Sequence, residues 1–373
     1  MEKLIKQLSE CVDADYRKMR DEYGKSIQYV EYEPPYFRFK NSVSRVNEGT
    51  VAFLTGKGID VIHGYRSIPR ALVITASFKK FFKEAYAEEK MNGYNVRTAS
   101  VDGEIVAITR KGLVCPYTTM RVESAVSARF FKDHPNLVLC GEVVGLQNPY
   151  QEKSYPEDRE FGYYVFDVMR RDGTLLKRDE KLALIKKYSL KAVRDFGKVS
   201  GGKSVLELVR KLGEQGREGV VLKSPDGRTA LKYTANQSTN EDLRYAFSFY
   251  DDYGNAFIYP RLVREAFQAY EARLTKSELE KEAAALGKSM LIPMVETIKK
   301  IAGGQEANEP FKITVPDEEF GFDFIENLRS LGVHVSVLSI KKRNKKVIMS
   351  LARRYPATND TTKYFLNGGT FHE

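Results

Sequence analysis

The stretch Glu88-Glu89-Lys90-Met91-Asn92-Gly93-Tyr94-Asn95-Val96-Arg97 constrains the chain most. Apolar, β-prone residues precede it (Phe81, Phe82, Tyr86), and Ile105-Val106-Ala107-Ile108 lies just beyond it. Asn-Gly between two such runs reads as a strand end, a tight turn and a returning strand. That geometry would hold Lys90 stiffly at the mouth of a cleft. An amine becomes a nucleophile only after losing its proton, which desolvation and neighbouring cations favour. Gly93 would allow the backbone a close approach to a bound group. Taken alone, a lysine three residues before a glycine also describes an ordinary hairpin with a solvated side chain.

The order of the downstream segments narrows the possibilities. Thr109-Arg110-Lys111-Gly112 precedes Leu137-Val138-Leu139-Cys140-Gly141-Glu142-Val143 and then Tyr164-Val165-Phe166-Asp167-Val168. Arg217-Glu218-Gly219-Val220-Val221-Leu222-Lys223 and Leu231-Lys232-Tyr233 complete the series. With Lys-x-(Asp/Asn/His)-Gly-x-Asn at its head, this order resembles the covalent nucleotidyltransferases: the ATP-dependent DNA and RNA ligases and the mRNA capping enzymes. The wording around Lys90, and Ala-Ile-Thr-Arg-Lys-Gly-Leu-Val-Cys-Pro-Tyr-Thr-Thr after it, is most similar to the archaeal-type dimeric ATP-dependent RNA ligases, the third RNA ligase family. The resemblance runs from about Gly49 to the C-terminus and is strongest between Glu88 and Tyr233. Asn92 stands where members of that family usually carry Asp.

The resemblance implies a three-step reaction. An enzyme lysine takes AMP from ATP, the AMP passes to an RNA 5′-phosphate, and a 3′-hydroxyl displaces it. Phosphoryl transfer is mainly positioning plus charge neutralisation. On that footing Lys90 is the nucleophile, and Lys223 and Lys232 supply positive charge toward the α-phosphate. Asn95 would donate its amide to a phosphate oxygen. Glu142 would bind the ribose hydroxyls and Arg110 would reach the ribose from the other side. Phe166 would stack on adenine, and Glu88 or Glu89 would accept from the adenine amino group. Glu218 is the expected metal carboxylate, with Glu142 sharing that duty, and holds Mg²⁺ or Mn²⁺ largely through waters. Each residue also has a plainer reading. Phe166 alone is a core residue in an alternating strand, Arg110 and Lys111 alone are a charged turn, and Arg217-Glu218-Gly219 alone is a strand entrance.

Length and periodicity give the organisation. A chain of 373 residues holds two or three domains. The expected class is α+β: a nucleotidyltransferase (ATP-grasp-like ligase) core of antiparallel sheets with helices, a β-rich N-terminal lobe, a helical dimerisation region and a small α/β C-terminal domain. Residues 1–75 form the lobe, entered through one helical stripe (Leu4, Leu8, Val12, Tyr16) over about 25 residues and containing a hairpin at Thr55-Gly56-Lys57-Gly58. Residues 76–240 form the adenylyltransferase domain, with strands at 86–90, 94–101, 104–109, 137–145, 163–168, 219–223 and 229–233. Most of these strands would be joined by hairpins. Helices are expected at 121–132, 178–188 and 203–213, and residues 148–156 form a polar loop.

Residues 241–304 read as helices ended by Gly303-Gly304. Leu262, Ala266, Tyr270 and Leu274 share one face, and Leu279, Ala283, Leu286, Met290 and Val295 continue it. That apolar surface either packs on the core or, as the resemblance implies, forms a homodimer. Residues 305–373 read β-α-β-β-α around the basic turn Lys341-Lys342-Arg343-Asn344-Lys345-Lys346, which is either a phosphate grip or a solvated tip.

A net charge of +10 favours a polyanionic partner through counterion release. Three cysteines far apart (Cys11, Cys115, Cys140) give no disulfide framework, and four scattered histidines give no zinc spacing. No apolar run nears the ~20 residues of a membrane span, and Met-Glu-Lys-Leu-Ile-Lys is not a signal peptide. The expectation is a cytoplasmic, ATP-dependent RNA ligase joining or circularising RNA with 5′-phosphate and 3′-hydroxyl ends, with single-stranded DNA admitted as a second substrate. The alternatives are a capping-type guanylyltransferase, a DNA ligase, and a non-catalytic RNA-binding protein.

Overall fold

The computed structural model describes residues 1–150 and 153–371, so residues 151 and 152 of the polar loop, and His372 and Glu373, lie outside the described part. The chain begins α1 (Glu2–Cys11), α2 (Tyr16–Glu22), β1 (Ile27–Val30), β2 (Tyr36–Phe39), β3 (Val51–Thr55), β4 (Gly58–Ile62) and α3 (Ile74–Phe81). It continues β5 (Ala85–Lys90), β6 (Tyr94–Val101), β7 (Glu104–Thr109), α4 (Pro116–Glu123), α5 (Ala128–Asp133), β8 (Leu137–Val144), β9 (Gly162–Arg170) and α6 (Arg178–Lys187). Then come β10 (Asp195–Val199), α7 (Gly202–Glu214), β11 (Gly219–Lys223), β12 (Ala230–Thr234), α8 (Asn236–Ser248), α9 (Asn255–Ala272) and α10 (Lys276–Ala302). The C-terminal part is β13 (Asn308–Val315), α11 (Glu318–Ser330), β14 (Val335–Arg343), β15 (Lys346–Arg354) and α12 (Pro356–Leu366). These elements group into two units, one of Met1–Pro69, Met91–Gly197 and Lys223–Ala230, the other of Arg70–Lys90, Lys198–Leu222 and Leu231–Glu373.

The first unit contains two sheets. The meander β1-β2-β3-β4 is antiparallel throughout. Leu8 of α1 and Met19 of α2 close one side of it against Ile27, Phe37, Phe39 and Ala52. The single opening helix expected from the Leu4–Tyr16 stripe is broken. Asp13 takes a left-handed φ of 49°, and Asp15 restarts the helix as an N-cap, accepting from Lys18 N at 2.9 Å. The second sheet, β7-β6-β8-β9, is also antiparallel. One of its faces is covered by Val122, Phe130 and Phe131 of α4 and α5. Those are two helices where one was expected, because Ser127 caps a new start by accepting from Arg129 N at 3.3 Å. On the other face Val106, Ile108, Val138 and Cys140 share a core with Tyr36, Val51, Phe53 and Ile62 of the meander.

In the second unit the first sheet has the order β10-β5-β11-β12. This overturns the expected hairpin at Asn92-Gly93, because β5 and β6 belong to different sheets. A Cβ on Gly93 would lie 2.1 Å from the carbonyl oxygen of Val143, so residues 91–93 run against β8 rather than folding back on β5. The hairpin is one step later, where Asp102 (φ 49°) and Gly103 (φ 94°) join β6 to β7 with the paired positive φ of a type I′ turn. Hairpin connections are accordingly fewer than expected. β10 was not foreseen; Asp195-Phe196-Gly197-Lys198-Val199 has too little apolar alternation to stand out.

Helices α8, α9 and α10 come next as expected, and Gly303 caps α10. Their burial is inverted. α9 buries Arg264, Glu265 and Gln268 while Tyr259, Phe267 and Tyr270 are exposed. α10 buries Ser289 and Thr297 while Leu279, Leu291 and Ile292 are exposed. The last segment is the expected β-α-β-β-α, with sheet order β13-β15-β14. No helix among the described residues is long and apolar enough to cross a membrane.

Candidate functional site

In the second unit the charged residues around Lys90 are set by strand alternation. Successive side chains on a strand point to opposite faces, so Glu88 and Lys90 share one face of β5 and Glu89 takes the other. Arg217 and Glu218 lead into the neighbouring β11 with the same alternation and the opposite sign order. Two ion pairs result. Glu89 Oε1 accepts from Arg217 Nη1 at 3.0 Å, with both side chains at most 8% exposed. Lys90 Nζ donates to Glu218 Oε2 at 2.6 Å, with exposures of 22% and 10%. The nucleophile candidate is thus held by the carboxylate that the sequence assigns to metal. Glu88 is 4% exposed. Lys232 is half-buried on β12, the strand next to β11. Arg70 bridges to it in parallel, and Ala71 N donates to its carbonyl at 3.0 Å. The Arg70 guanidinium donates to Thr234 Oγ1 at 2.6 Å, and burial, then Arg264, pulls its pKa down to about 10.

In the first unit the register assembles a second group. Val96 pairs with Thr109, so Asn95 and Arg110 lie at the same end of the sheet. Asn95 pairs with Glu142, and Glu142 with Tyr164. A register shift in β9 falls opposite Cys140 and Gly141 and leaves Phe166 as the extra residue. A bulge of this kind re-aims a side chain. Asn95, Arg110, Glu142 and Phe166 are therefore brought to one end of one sheet from four distant segments. Asn95 Oδ1 is buried with no hydrogen-bond partner among the described residues. Arg110 is exposed. Tyr65 meets Phe166 edge-on at 5.3 Å between ring centroids.

Lys223 belongs to this group and is not solvated. It is 6% exposed, and its Nζ lies 2.9 Å from Asp167 Oδ1 and 2.9 Å from the Phe166 carbonyl oxygen. Lys181 of α6 donates to the same carbonyl at 2.9 Å and sits 3.6 Å from the same carboxylate. The Tyr65 hydroxyl donates to Asp167 Oδ2 at 2.5 Å. Burial pushes the Asp167 carboxyl up, but the ammonium groups of Lys223 and Lys181 outweigh it and hold the group below its ordinary range. Asp167, Lys181 and Tyr65 were not singled out from the sequence. A signal existed: an acid inside the apolar run Tyr163–Met169 must find a buried partner.

Arg97 was also missed. It is fully buried and donates to the carbonyls of His63 (2.6 Å), Gly49 (2.5 Å) and Thr109 (3.2 Å). Burial, opposed by Cys140, brings its pKa to about 10. Gly93, expected to make room for a bound group, makes room for β8 instead. A cavity of about 400 Å³ elsewhere in the first unit is lined by Arg66, Arg170, Lys177 and Arg228 with Glu180 and Asp226, and by none of the residues singled out above.

No group of three or more His, Cys, Asp or Glu among the described residues makes a metal cage.

Comparison with known proteins covers almost the whole chain. The family described as RNA ligase matches residues 83–234, and the family described as the C-terminal region of the ligase Pab1020 matches residues 245–369. An uncharacterized protein of Methanocaldococcus jannaschii is 37% identical over 98% of this chain and 96% of its own. Two structures of an archaeal ATP-dependent RNA ligase, forms 1 and 2, superpose with TM-scores of 0.93. They are 35% and 34% identical, over 98% of this chain and 99% of theirs. A putative ATP-dependent DNA ligase from Aquifex aeolicus is 25% identical with a TM-score of 0.87, over 94% of this chain and 97% of that one.

Proposed function

Because the chain belongs to the family of the archaeal ATP-dependent RNA ligases, we propose that it joins or circularises RNA by carrying AMP on Lys90. The observation that carries this is the placement of Lys90 at the end of β5, half-buried, with Nζ already seated on a carboxylate. In the first step Nζ bonds to the α-phosphorus of ATP as the bond to pyrophosphate breaks. An ammonium has no lone pair, so Nζ must leave Glu218 and shed its proton first. The AMP then passes to an RNA 5′-phosphate, and a 3′-hydroxyl displaces it.

The remaining roles are proposals of the same reading. Phe166 takes the adenine ring, presented by its bulge. Glu88 is favoured over Glu89 for the adenine amino group, since Glu89 is committed to Arg217 on the other face of β5. Glu142 and Arg110 take the ribose, and Asn95 donates its amide N–H to a phosphate oxygen, while its buried Oδ1, without a partner among the described residues, is left to accept from a ligand donor. Lys232 supplies charge to the phosphates. Lys223 acts from beneath Phe166, by way of Asp167 and the Phe166 carbonyl. Mg²⁺ or Mn²⁺ held by Glu218, with Glu142 sharing, would neutralise phosphate charge when bound.

A homodimer is the proposed assembly. α9 and α10 expose Phe267, Tyr270, Leu291 and Ile292 while burying polar residues within their own chain, and such a surface calls for a cover. Residues 1–75, 76–240, 241–304 and 305–373 are proposed as lobe, catalytic, dimerisation and C-terminal domains. Three free cysteines suit a reducing cytoplasm. The likeness to the putative Aquifex DNA ligase keeps DNA joining as a second reading.

Incubation with α-labelled ATP or GTP and a divalent ion tests the chemistry. Label should stay on the protein with ATP only and vanish in Lys90→Ala. Label on another side chain, or none, would sink the reading. Single-stranded 5′-phosphorylated RNA against nicked duplex DNA then separates the two substrates.

A further inference from the structure

Among the described residues, one face of the C-terminal sheet β13-β15-β14 is packed by α11 and most of the charged positions on the other are exposed. Phe311, Ile313, Val315, Val347, Met349 and Leu351 are buried on the side of α11. A Cβ on Gly321 of that helix would lie 2.3 Å from Met349 Sδ and 3.2 Å from Val315 Cγ2. The alternate positions point the other way. There the register sets Lys312 opposite Ser350 and Ser350 opposite Ser339. It sets Thr314 opposite Ile348, Ile348 opposite Lys341, and Lys346 opposite Arg343. Lys312, Ser339, Lys341, Arg343 and Lys346 are all exposed. No strand position on this face is acidic.

The sequence shows only a run of basic residues at a turn. The register divides that run. Lys342 falls on the α11 side, where its Nζ pairs with Glu318 at 3.0 Å. Lys341, Arg343 and Lys346 fall on the open side and join Lys312, which comes from a strand about thirty residues earlier. Asn344 (φ 47°) and Lys345 (φ 59°) close the hairpin with the backbone of a type I′ turn, which keeps the strands in register.

We propose that this open face holds the backbone of the RNA strand during joining. The proposal rests on the ligase reading for its substrate, and it adds a contact to RNA that the nucleotidyl-transfer residues do not make. Among the described residues none of these four cations is in an ion pair, and Arg354, on the same face by register, is held apart by Glu306 and Asp360; four uncompensated cations select a polyanion. The hydroxyls of Ser339 and Ser350 lie in the same row as Lys312, and Thr314 follows Lys312 on the edge strand; all three suit phosphate oxygens and 2′-hydroxyls. The face carries no aromatic side chain, so bases are not stacked there. Binding is therefore indifferent to base sequence and strongly dependent on salt.

The test compares the full chain with the variant Lys312→Gln/Lys341→Gln/Arg343→Gln/Lys346→Gln and with Lys342→Gln. The probe is a 5′-phosphorylated RNA oligonucleotide of mixed sequence, read by fluorescence anisotropy between ~50 and ~200 mM salt. Each phosphate contact on a single strand contributes about 0.7 to the slope of log affinity against log salt. The fourfold variant should lose at least tenfold in affinity and about 3 in slope, while Lys342→Gln stays near the parent protein. Self-adenylylation with labelled ATP should be the same in all three. Its absence from the parent would refute the ligase reading and not this face.

Unchanged affinity and slope in the folded fourfold variant would overturn the proposal, as would an equal loss per charge in Lys342→Gln. A change in sedimentation with RNA affinity intact would assign the face to a second copy of the chain and overturn it as well. Lysine acetylation footprinting of the unmutated protein needs no variant to fold. RNA should protect Lys312, Lys341 and Lys346 and leave Lys342 reactive; equal protection of all four, or of none, counts against the face.

Discussion

Asp167→Asn isolates the buried charge cluster beneath Phe166. The substitution preserves shape and leaves the Tyr65 hydroxyl an acceptor. It removes the charge that balances two ammonium groups, of which Lys223 is 6% and Lys181 4% exposed. Their distances to the carboxylate, 2.9 and 3.6 Å, leave no room for a water to take its place. Breaking a buried ion pair by removing one partner costs about 3–5 kcal/mol, because a charge remains uncompensated in a dry site. At about 2–4 °C per kcal/mol for a unit of this size, the melting transition should fall by roughly 10 °C. Adding Lys181→Met to Asp167→Asn removes one orphaned cation and should restore on the order of 2 kcal/mol, a coupling that a double-mutant cycle measures.

The pH dependence has a definite sign. Asp167 is held below its ordinary range. Its stabilisation is therefore present above the unfolded carboxyl pKa of about 3.9 and is lost as pH falls through the lower folded value. The margin between parent and Asp167→Asn should be full near neutrality and shrink in acid. Urea denaturation at several pH values is the assay. A loss under about 1 kcal/mol with an unchanged m-value, or a margin that grows in acid, would refute the assignment of this cluster as a charge-balanced support.

Arg97→Met should destabilise the first unit by about 3 kcal/mol or more, since it takes the guanidinium donor from the carbonyls of Gly49 and His63 and leaves Thr109 only the Gly112 amide; thermal melting checks it, and a change under about 1 kcal/mol contradicts it. Glu265 on α9 is raised to about 7 by burial and then by Glu282, against Arg264. The folded chain thus binds the proton more tightly than the unfolded one, and stability should fall by up to about 3 kcal/mol as pH rises from about 4.5 to 7. Glu265→Gln should flatten that limb of the pH–stability curve; an unaltered slope speaks against it. Tyr270→Glu/Leu291→Glu places charge on two of the most exposed apolar positions of α9 and α10. Sedimentation should show monomers with the melting profile of the C-terminal sheet retained, and an unchanged mass would remove these helices from the interface.

Local pattern specified most of the elements. The alternation in Tyr94–Val101 and Glu104–Thr109, the β-α-β-β-α order after Asn308, and the long helices ended by Gly303 all came from short-range periodicity. The order of the segments around Lys90, Glu142, Phe166, Glu218 and Lys232 carried the family. Pairing between distant strands was not legible. Asn92-Gly93 has the composition of a hairpin turn, yet β6 pairs with β7 and β8, and Gly93 is used to pass the Val143 carbonyl.

Partnership of buried charges was equally hidden. Nothing local says that Glu89 meets Arg217, that Lys223 and Lys181 converge on Asp167, or that Lys342 turns from its basic neighbours toward Glu318. A periodic pattern is a property of a few consecutive residues, fixed by the repeat of helix or strand. A charge inside a protein is stable only beside a partner, and which partner reaches it is decided when segments far apart in the chain come into register.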